Sequence, residues 1–196
     1  ISAENLKGQP ENPEIDLFLD SSSRHVLKTF PDRRIICVRL SEDPSEKWLR
    51  VGVLTKELEP IIEEILQQET RWKADPSLRL RYFTGFLSNS DDQIRTLAHL
   101  EVAGAPYRDI RKLKNVLSST QIRNFLNKIR YLEWHALYIL LLAGSDEEED
   151  RKMIRVKMKT ATRFSFTVQL AAWTTAYLEI DPEEALSFIE TNYLQN

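Results

Sequence analysis

The stretch LLLAGSDEEEDRKM at residues 140–153 decides how the chain folds, because an apolar run gives way to five consecutive acids. Such a cluster occurs in metal sites, in catalytic carboxylate groups and in the first turns of helices. A calcium loop would place its oxygens around a turn glycine, and that spacing is absent. The bases Lys152 and Arg155 follow, as expected when acids occupy the positive amino end of a helix. We therefore predict that one helix ends near Gly144 and that an acidic helix begins directly after it.

The same junction recurs at two other places in the chain. The stretches YFTGFLSNSDDQI (82–94), LYILLLAGSDEEE (137–149) and AWTTAYLEIDPEEA (172–185) align with one another. In each of them an apolar helix is predicted to end and an acidic helix to begin within two or three residues. The junctions also have the form of capping boxes, in which side chains bond the free amides of a helix start. These patterns are Ser90-x-x-Gln93, Ser145-x-x-Glu148 and Asp181-x-x-Glu184.

The chain divides into a small β segment at residues 1–55 and a helical domain at residues 56–196. The strand-like stretches of the β segment are residues 15–20, 33–40 and 47–54. Three short strands are too few for an independent sheet, so a further upstream strand or covering helices are expected. The stretch SSSRH at residues 21–25 is interpreted as a turn. The helical domain contains about nine predicted helices joined by short connections, which makes sequential helices antiparallel neighbours.

The fold class predicted from these patterns is mostly α, or α+β overall: a short α-solenoid of antiparallel helix pairs preceded by the β segment. Composition is typical of a soluble globular protein, with 42% hydrophobic and 29% charged residues. The longest apolar run, residues 136–144, is shorter than the ~20 residues that a membrane span needs. Neither a GxGxxG motif nor a GxxxxGK motif is present, so a glycine-rich phosphate loop is not expected.

Candidate catalytic and metal-binding groups are few. The single cysteine, Cys37, excludes an internal disulfide and a cysteine-based zinc site, and its apolar surroundings predict a buried, unreactive thiol. No histidine pairs with another histidine or a carboxylate at metal-ligand spacing, and His99 and His135 are predicted to lie on helix faces and bond between helices. No serine lies in a GxSxG motif. We therefore predict no catalytic residue, no cofactor, no metal and a non-enzymatic function.

Residues 78–112, LRLRYFTGFLSNSDDQIRTLAHLEVAGAPYRDIRK, carry a family resemblance. They resemble the first repeat of a group of bacterial proteins that combine a β amino-terminal segment with HEAT-like helical repeats. The resemblance covers residues 56–196 in pattern, departs from a regular array at 107–129 and carries no catalytic signature. It implies a HEAT-like solenoid and, because the β part of that group often follows a secretion signal, export to the periplasm or cell envelope. The chain itself shows no signal peptide, and its start at Ile1 favours a processed or trimmed chain.

Basic residues concentrate in two segments of the helical domain. Residues 106–132 contain seven bases and a single acid, Asp109, and residues 151–163 contain six bases and no acid. The segments lie about one repeat apart, so stacked helices could align them into a stripe; a solvated helix surface is the alternative interpretation. A stripe would suit an acidic protein, an anionic lipid headgroup or nucleic acid. The residues predicted to bind a partner are Arg108, Arg111, Lys114, Arg151, Arg155 and Lys159.

Three functional classes follow from these patterns. The favoured one is a non-enzymatic protein–protein interaction module or scaffold, as a subunit of a larger complex, because solenoids present long binding surfaces. The alternative is nucleic-acid binding, since some DNA glycosylases are built from HEAT-like repeats, although the net charge of −3 argues against it. A helical-solenoid enzyme such as a lyase is the third class, and no residue pattern supports it.

Overall fold

A computed structural model of the chain describes residues 19–30, 33–38, 48–165 and 167–195. The chain forms two compact units, Ile1–Ala74 and Asp75–Asn196. The described part is mostly helical and contains one two-stranded antiparallel sheet. The prediction of a mostly α protein with a small β segment is therefore confirmed.

The described residues of the first unit form three helices and a β-hairpin. Its elements are α1 (Ser21–Thr29), β1 (Arg34–Val38), β2 (Leu49–Leu54), α2 (Glu59–Gln67) and α3 (Glu69–Ala74). Arg34 pairs with Leu54 and Val38 pairs with Leu49, with a register irregularity after Ile36. Both strands fall within predicted strand stretches, whereas the third such stretch, residues 15–20, lies mostly outside the described residues.

The interpretation of residues 21–25 as a turn is wrong, because these residues begin α1. The carboxylate of Asp20 accepts the Ser23 amide at 2.7 Å and the Ser23 hydroxyl at 3.0 Å. Aspartate and serine bond nearby amides in turns and at helix starts alike, so their presence did not distinguish the two. Arg50 of β2 also lies 3.4 Å from Asp20 and connects the helix start to the hairpin.

Cys37 lies in β1 and is partly exposed, so the prediction of a buried thiol is wrong. Its flanking residues in the hairpin are also only partly covered, because the sheet has two strands. Partial burial still raises the pKa of the Cys37 thiol, and this outweighs the opposing effect of Arg50. A raised pKa disfavours the thiolate, which is the reactive form.

The second unit consists of helices joined by short connections. Its elements are α4 (Pro76–Thr84), α5 (Asp92–Ala103), α6 (Tyr107–Ile110), α7 (Ser119–Leu126), a 3-10 helix (Ile129–Trp134), α8 (His135–Ala143), α9 (Glu148–Arg163), α10 (Leu170–Ile180), α11 (Pro182–Ile189) and a π-helical turn (Glu190–Leu194). Helix α4 packs on α5, α7 on α8, and α8 on α10, while α10 also packs on α9 and α11.

The pair α8–α10 forms the centre of this unit. Helix α8 is apolar all round, as expected for a helix that neighbours cover on several sides, and Tyr138, Ile139 and Leu142 are fully buried. The Nε2 atom of Gln169, just before α10, donates to the carbonyl oxygen of Leu132, just before α8, at 3.1 Å. The amino ends of α8 and α10 therefore lie at the same end of the unit, which we call the amino end; the opposite one is the carboxyl end.

The three acidic helix starts are confirmed, but the capping boxes predicted there are wrong. Asp91, rather than Ser90, caps α5 by accepting the amides of Gln93 and Ile94. Ser145 lies in the turn before α9 and accepts the Glu147 amide at 3.1 Å, whereas Asp181 makes no capping bond. A reciprocal capping box occurs instead at the start of α7, between Ser118 and Gln121. Helix polarity explains the acids at α9, because they need no specific cap to be stabilised there.

Candidate interaction surface

A basic segment lies across the carboxyl end of α8 and α10. We call residues 107–118 the crossing segment. Near its start, Tyr107 donates its hydroxyl to Glu179 of α10 at 2.9 Å, and Arg111 bonds the other carboxylate oxygen of Glu179 at 2.7 Å. Further along, the carbonyl oxygen of Leu113 lies 3.5 Å from the position that a Cβ atom on Gly144 would occupy, just after α8. The segment therefore contacts the last turns of both central helices.

Helix polarity gives a physical reason for this placement. The carboxyl ends of α8 and α10 carry partial negative charge from their unpaired carbonyl groups, and nearby cations are stabilised by it. The crossing segment supplies bases at this point, of which Arg111 forms the direct ion pair with Glu179. Burial and the hydrogen bond to Glu179 raise the pKa of Tyr107 to about 12, so its hydroxyl remains a proton donor at neutral pH.

Besides Arg111, two more of the predicted partner-binding residues are paired inside the chain. Arg155 of α9 bonds Asp181 at 2.6 Å through Nε and Glu148 at 2.7 Å through Nη1, and its side chain is only 25% exposed. The hydrogen bonds to Asp181 and then to Glu148 raise the pKa of Arg155. Lys159 lies one turn further along α9 and pairs with Glu184 of α11 at 3.2 Å. Arg155 and Lys159 therefore connect α9 to α11.

Arg123 is one of the seven bases in residues 106–132, and it forms an ion pair with a buried carboxylate. It connects α7 to Asp150 of α9 at 2.5 Å, and the Asp150 carboxylate is fully buried. The Oδ2 atom of that carboxylate accepts no hydrogen bond in the described structure. This pair was not predicted from the sequence, although Asp150 lies at helical spacing from the buried Ile154 and Met158. That spacing was the available signal that an acid of the block points inward.

The remaining predicted residues form no ion pair with another element among the described residues. The side chain of Arg108 is 82% exposed, and its nearest acid is the adjacent Asp109 at 3.6 Å. Lys114 is exposed and Arg151 is partly exposed, and neither has an ion pair within the described ranges. The structure thus divides the six predicted residues into a paired group of Arg111, Arg155 and Lys159 and an unpaired group. We call Arg108, Lys114 and Arg151 the unpaired bases, meaning that none of them forms an ion pair with another described element; Arg108 contacts only the adjacent Asp109.

The buried histidine has a packing role. His99 stacks on Trp134 with 4.9 Å between ring centres, and its Nδ1 lies 2.7 Å from the carbonyl oxygen of Arg95. Because a carbonyl only accepts, Nδ1 carries the proton and Nε2 accepts the hydroxyl of Tyr138. Burial lowers the pKa of His99, so the neutral ring is favoured. The prediction of an interhelix hydrogen-bonding residue is confirmed for His99.

His135 also bonds backbone, since its Nε2 lies 3.3 Å from the carbonyl oxygen of Lys128. Within the described ranges, no cluster of three or more histidine, cysteine, aspartate or glutamate side chains is arranged to hold a metal ion. None of the described helices combines the length and the apolar character that crossing a membrane requires.

Comparisons with protein-family models, with curated proteins and with solved structures found no match for this chain.

Proposed function

We propose that the second unit is a protein-interaction module, built as a short HEAT-like solenoid, that binds an acidic protein through the crossing segment. The helix pairs α4–α5, α8–α9 and α10–α11, with α8 beside α10, support a repeat arrangement. In such arrays each pair contacts mainly its neighbours and leaves an extended surface for a partner. The family resemblance of residues 78–112 favours the same architecture and, with it, a scaffold role and export.

The observation that carries the proposal is the division between paired and unpaired bases. Arg108 and Lys114 stand on the crossing segment without an ion pair to another described element, although acids are abundant at the same end of the unit. Like charges clustered on a surface repel one another, and acids supplied by a partner relieve that repulsion. Bases at the rim of an interface mainly steer encounter and increase the association rate.

The internal ion pairs refine which residues serve the interface. Arg155 already forms ion pairs with two carboxylates, so its binding to a partner would require both pairs to break. Arg111 pairs with Glu179 but keeps a largely exposed side chain, which lets it contact a partner without leaving that pair. We therefore assign partner binding to the unpaired bases and Arg111, and an anchoring role to Arg155 and Lys159.

The test begins with isolating a stoichiometric protein partner under mild conditions and measuring association rates with the purified components. The variant Arg108→Glu/Lys114→Glu should slow association severalfold while leaving the melting temperature within about one degree of wild type. The matched control Lys128→Glu/Lys157→Glu reverses two exposed bases of the same unit outside the crossing segment and should associate like wild type. Equal rates for wild type and the first variant would remove the crossing segment as the interface.

Nucleic-acid binding remains the second candidate, because the same unpaired bases would suit phosphate groups. Random-sequence DNA at increasing salt separates the two functions. A protein that neutralises several phosphates loses affinity steeply as salt rises, since counterions are released on binding. We expect no measurable binding even at low salt, because a uniformly charged phosphate backbone would also approach Glu179 and the acidic starts of α9 and α11 at the same end of the unit. An acidic protein differs because it can place its carboxylates at the bases alone. Tight, salt-sensitive binding would favour the nucleic-acid function instead.

A further inference from the structure

The amino end of the second unit exposes a group of apolar side chains. Ile129 on the 3-10 helix is 80% exposed, Val168 in the loop between α9 and α10 is 63% exposed, and Phe164 beside it is 57% exposed. Leu132 is also exposed on the same 3-10 helix. We call these residues, together with the bases described next, the amino-end patch. Exposed apolar residues grouped in this way mark interaction sites more often than singly scattered ones do.

A hydrogen bond from a side chain to the backbone joins the two segments of the patch. The hydrogen bond from Gln169 to the carbonyl oxygen of Leu132 joins the loop to the 3-10 helix. Ser165 and Gln169 have φ angles of 54° and 56°, in the left-handed region that residues other than glycine rarely adopt. Such conformations persist where surrounding contacts enforce them.

Three bases are adjacent in sequence to the apolar side chains. The guanidinium group of Arg130 lies 4.7 Å from the ring centre of Tyr131, and that of Arg163 lies 5.3 Å from the ring centre of Phe164. Lys128 precedes Ile129 and is exposed. Across residues 128–135 and 163–170 the sequence contains one acid, Glu133. Stacking on a ring leaves each positive charge available at the surface, so the amino-end patch is both apolar and cationic.

We propose that the amino-end patch docks onto an anionic lipid membrane surface. Apolar side chains from short segments insert individually at the boundary between headgroups and acyl chains, while adjacent bases contact lipid phosphates. The amino ends of α8 and α10 add partial positive charge at the same place. Each base near such a surface strengthens binding about fivefold.

A lipid surface suits this patch better than a protein partner. A stable protein interface buries about 800 Å² on each side and centres on an anchor that fills a complementary pocket. The amino-end patch instead offers a few side chains on two separate short segments, each flanked by a base. A fluid headgroup layer accommodates such side chains without a complementary shape. The crossing segment is less suited to a lipid surface, because its bases have fewer exposed aliphatic side chains beside them than the bases of the amino-end patch have.

The first experiment measures flotation of the full chain with phosphatidylcholine vesicles that contain or lack phosphatidylserine. We expect flotation with the anionic vesicles only, declining as salt rises because exposed charges are screened. Equal flotation with both vesicle types would overturn the proposal, and so would the absence of flotation with either type. Binding of an acidic protein at Ile129 and Val168 without any vesicle association would overturn it in favour of a protein interface.

Matched variants then locate the site. Ile129→Ser/Val168→Ser should reduce the bound fraction at least tenfold, since both residues are more than half exposed and their replacement leaves the core intact. The control Val156→Ser/Leu186→Ser alters residues that are 53% and 54% exposed on α9 and α11, and should float like wild type. Equal losses for the two variants would show that the patch is not the site.

A charge variant gives an independent check. Lys128→Glu should reduce flotation about fivefold or more, because it replaces an attractive charge by a repulsive one. The control Lys157→Glu makes the same change on α9 and should leave flotation unchanged. If Lys157→Glu has the larger effect, binding follows overall charge and the assignment to the amino-end patch fails. Neither variant touches the crossing segment, so these results are separable from those on the acidic protein partner.

Discussion

At the carboxyl end of α8 and α10, Arg111 and Arg155 bond carboxylates from neighbouring elements, whereas at the amino end Arg130 and Arg163 lie over aromatic rings. The difference follows from helix polarity. Each apolar helix ends where an acidic helix begins, so the carboxyl end collects acids and the bases that pair with them. The amino end has few acids, and its bases remain available for external anions.

We therefore expect substitutions at the two ends to have different effects on stability and binding. Removing a base that is paired with another element at the carboxyl end should cost stability, because a carboxylate inside the unit loses its partner. Removing a base at the amino end should change what the unit binds and leave its stability almost unaltered. The following experiments would break or sharpen this contrast, and they run from the largest expected effect to the smallest.

The largest effect is expected for Arg123→Met, which leaves the fully buried Asp150 carboxylate without its ion-pair partner. Removing one partner of a buried pair costs about 3 kcal/mol or more, since the remaining charge stays desolvated. Urea unfolding monitored by tryptophan fluorescence measures the loss. The control Lys157→Met changes an exposed lysine and should be near neutral. A loss equal to the control's would mean that Asp150 finds another donor.

Arg155→Met should cost less, about 1–2 kcal/mol, because the side chain keeps some solvent exposure and its acids can rehydrate. The matched substitution Arg108→Met removes an arginine whose side chain is 82% exposed and should change stability by no more than about 0.5 kcal/mol. Thermal or urea unfolding of both variants gives the comparison. Equal losses would contradict the division between paired and unpaired bases.

The amino end should respond to acid through His99, which stacks on Trp134 of the 3-10 helix. Burial holds its folded pKa below the ordinary 6.5, so the native state binds fewer protons than the unfolded chain. Its contribution is fully present above pH 6.5 and is lost as pH falls from there toward the folded pKa. Unfolding free energies measured at pH 7.5 and 5.5 should decline more for wild type than for His99→Gln. If the unfolding free energies of wild type and His99→Gln decline equally, the acid sensitivity comes from carboxylates and not from His99.

The smallest effect is expected at Ser165, whose positive φ angle lies in the loop of the amino-end patch. A left-handed conformation costs a residue with a Cβ atom roughly 1–2 kcal/mol, which glycine avoids at the expense of greater freedom in the unfolded chain. Ser165→Gly should therefore raise the unfolding free energy by up to about 1 kcal/mol. A decrease would indicate that the serine side chain holds the loop in place.

Local chemistry made a large part of the fold predictable from the sequence. The apolar pattern of α8 and the acids at the start of α9 act over one or two helical turns, so the junction at residues 140–153 was identified correctly. The two strands of the hairpin followed from alternation in the same way. The prediction of a turn at residues 21–25 was wrong because serine and aspartate favour a turn and a helix start through the same hydrogen bonds.

The roles of individual charges were decided by tertiary structure alone. The ion pair between Arg155 and Asp181 could not be predicted from the sequence, because Asp181 becomes a neighbour of Arg155 only when α9, α10 and α11 pack. The bond between Tyr107 and Glu179 joins residues 72 positions apart, and the amino-end patch likewise requires the loop before α10 to meet the 3-10 helix before α8. Helical periodicity fixes neighbours three and four residues away, whereas contacts across such separations depend on how the helices pack around the buried faces of α8 and α10.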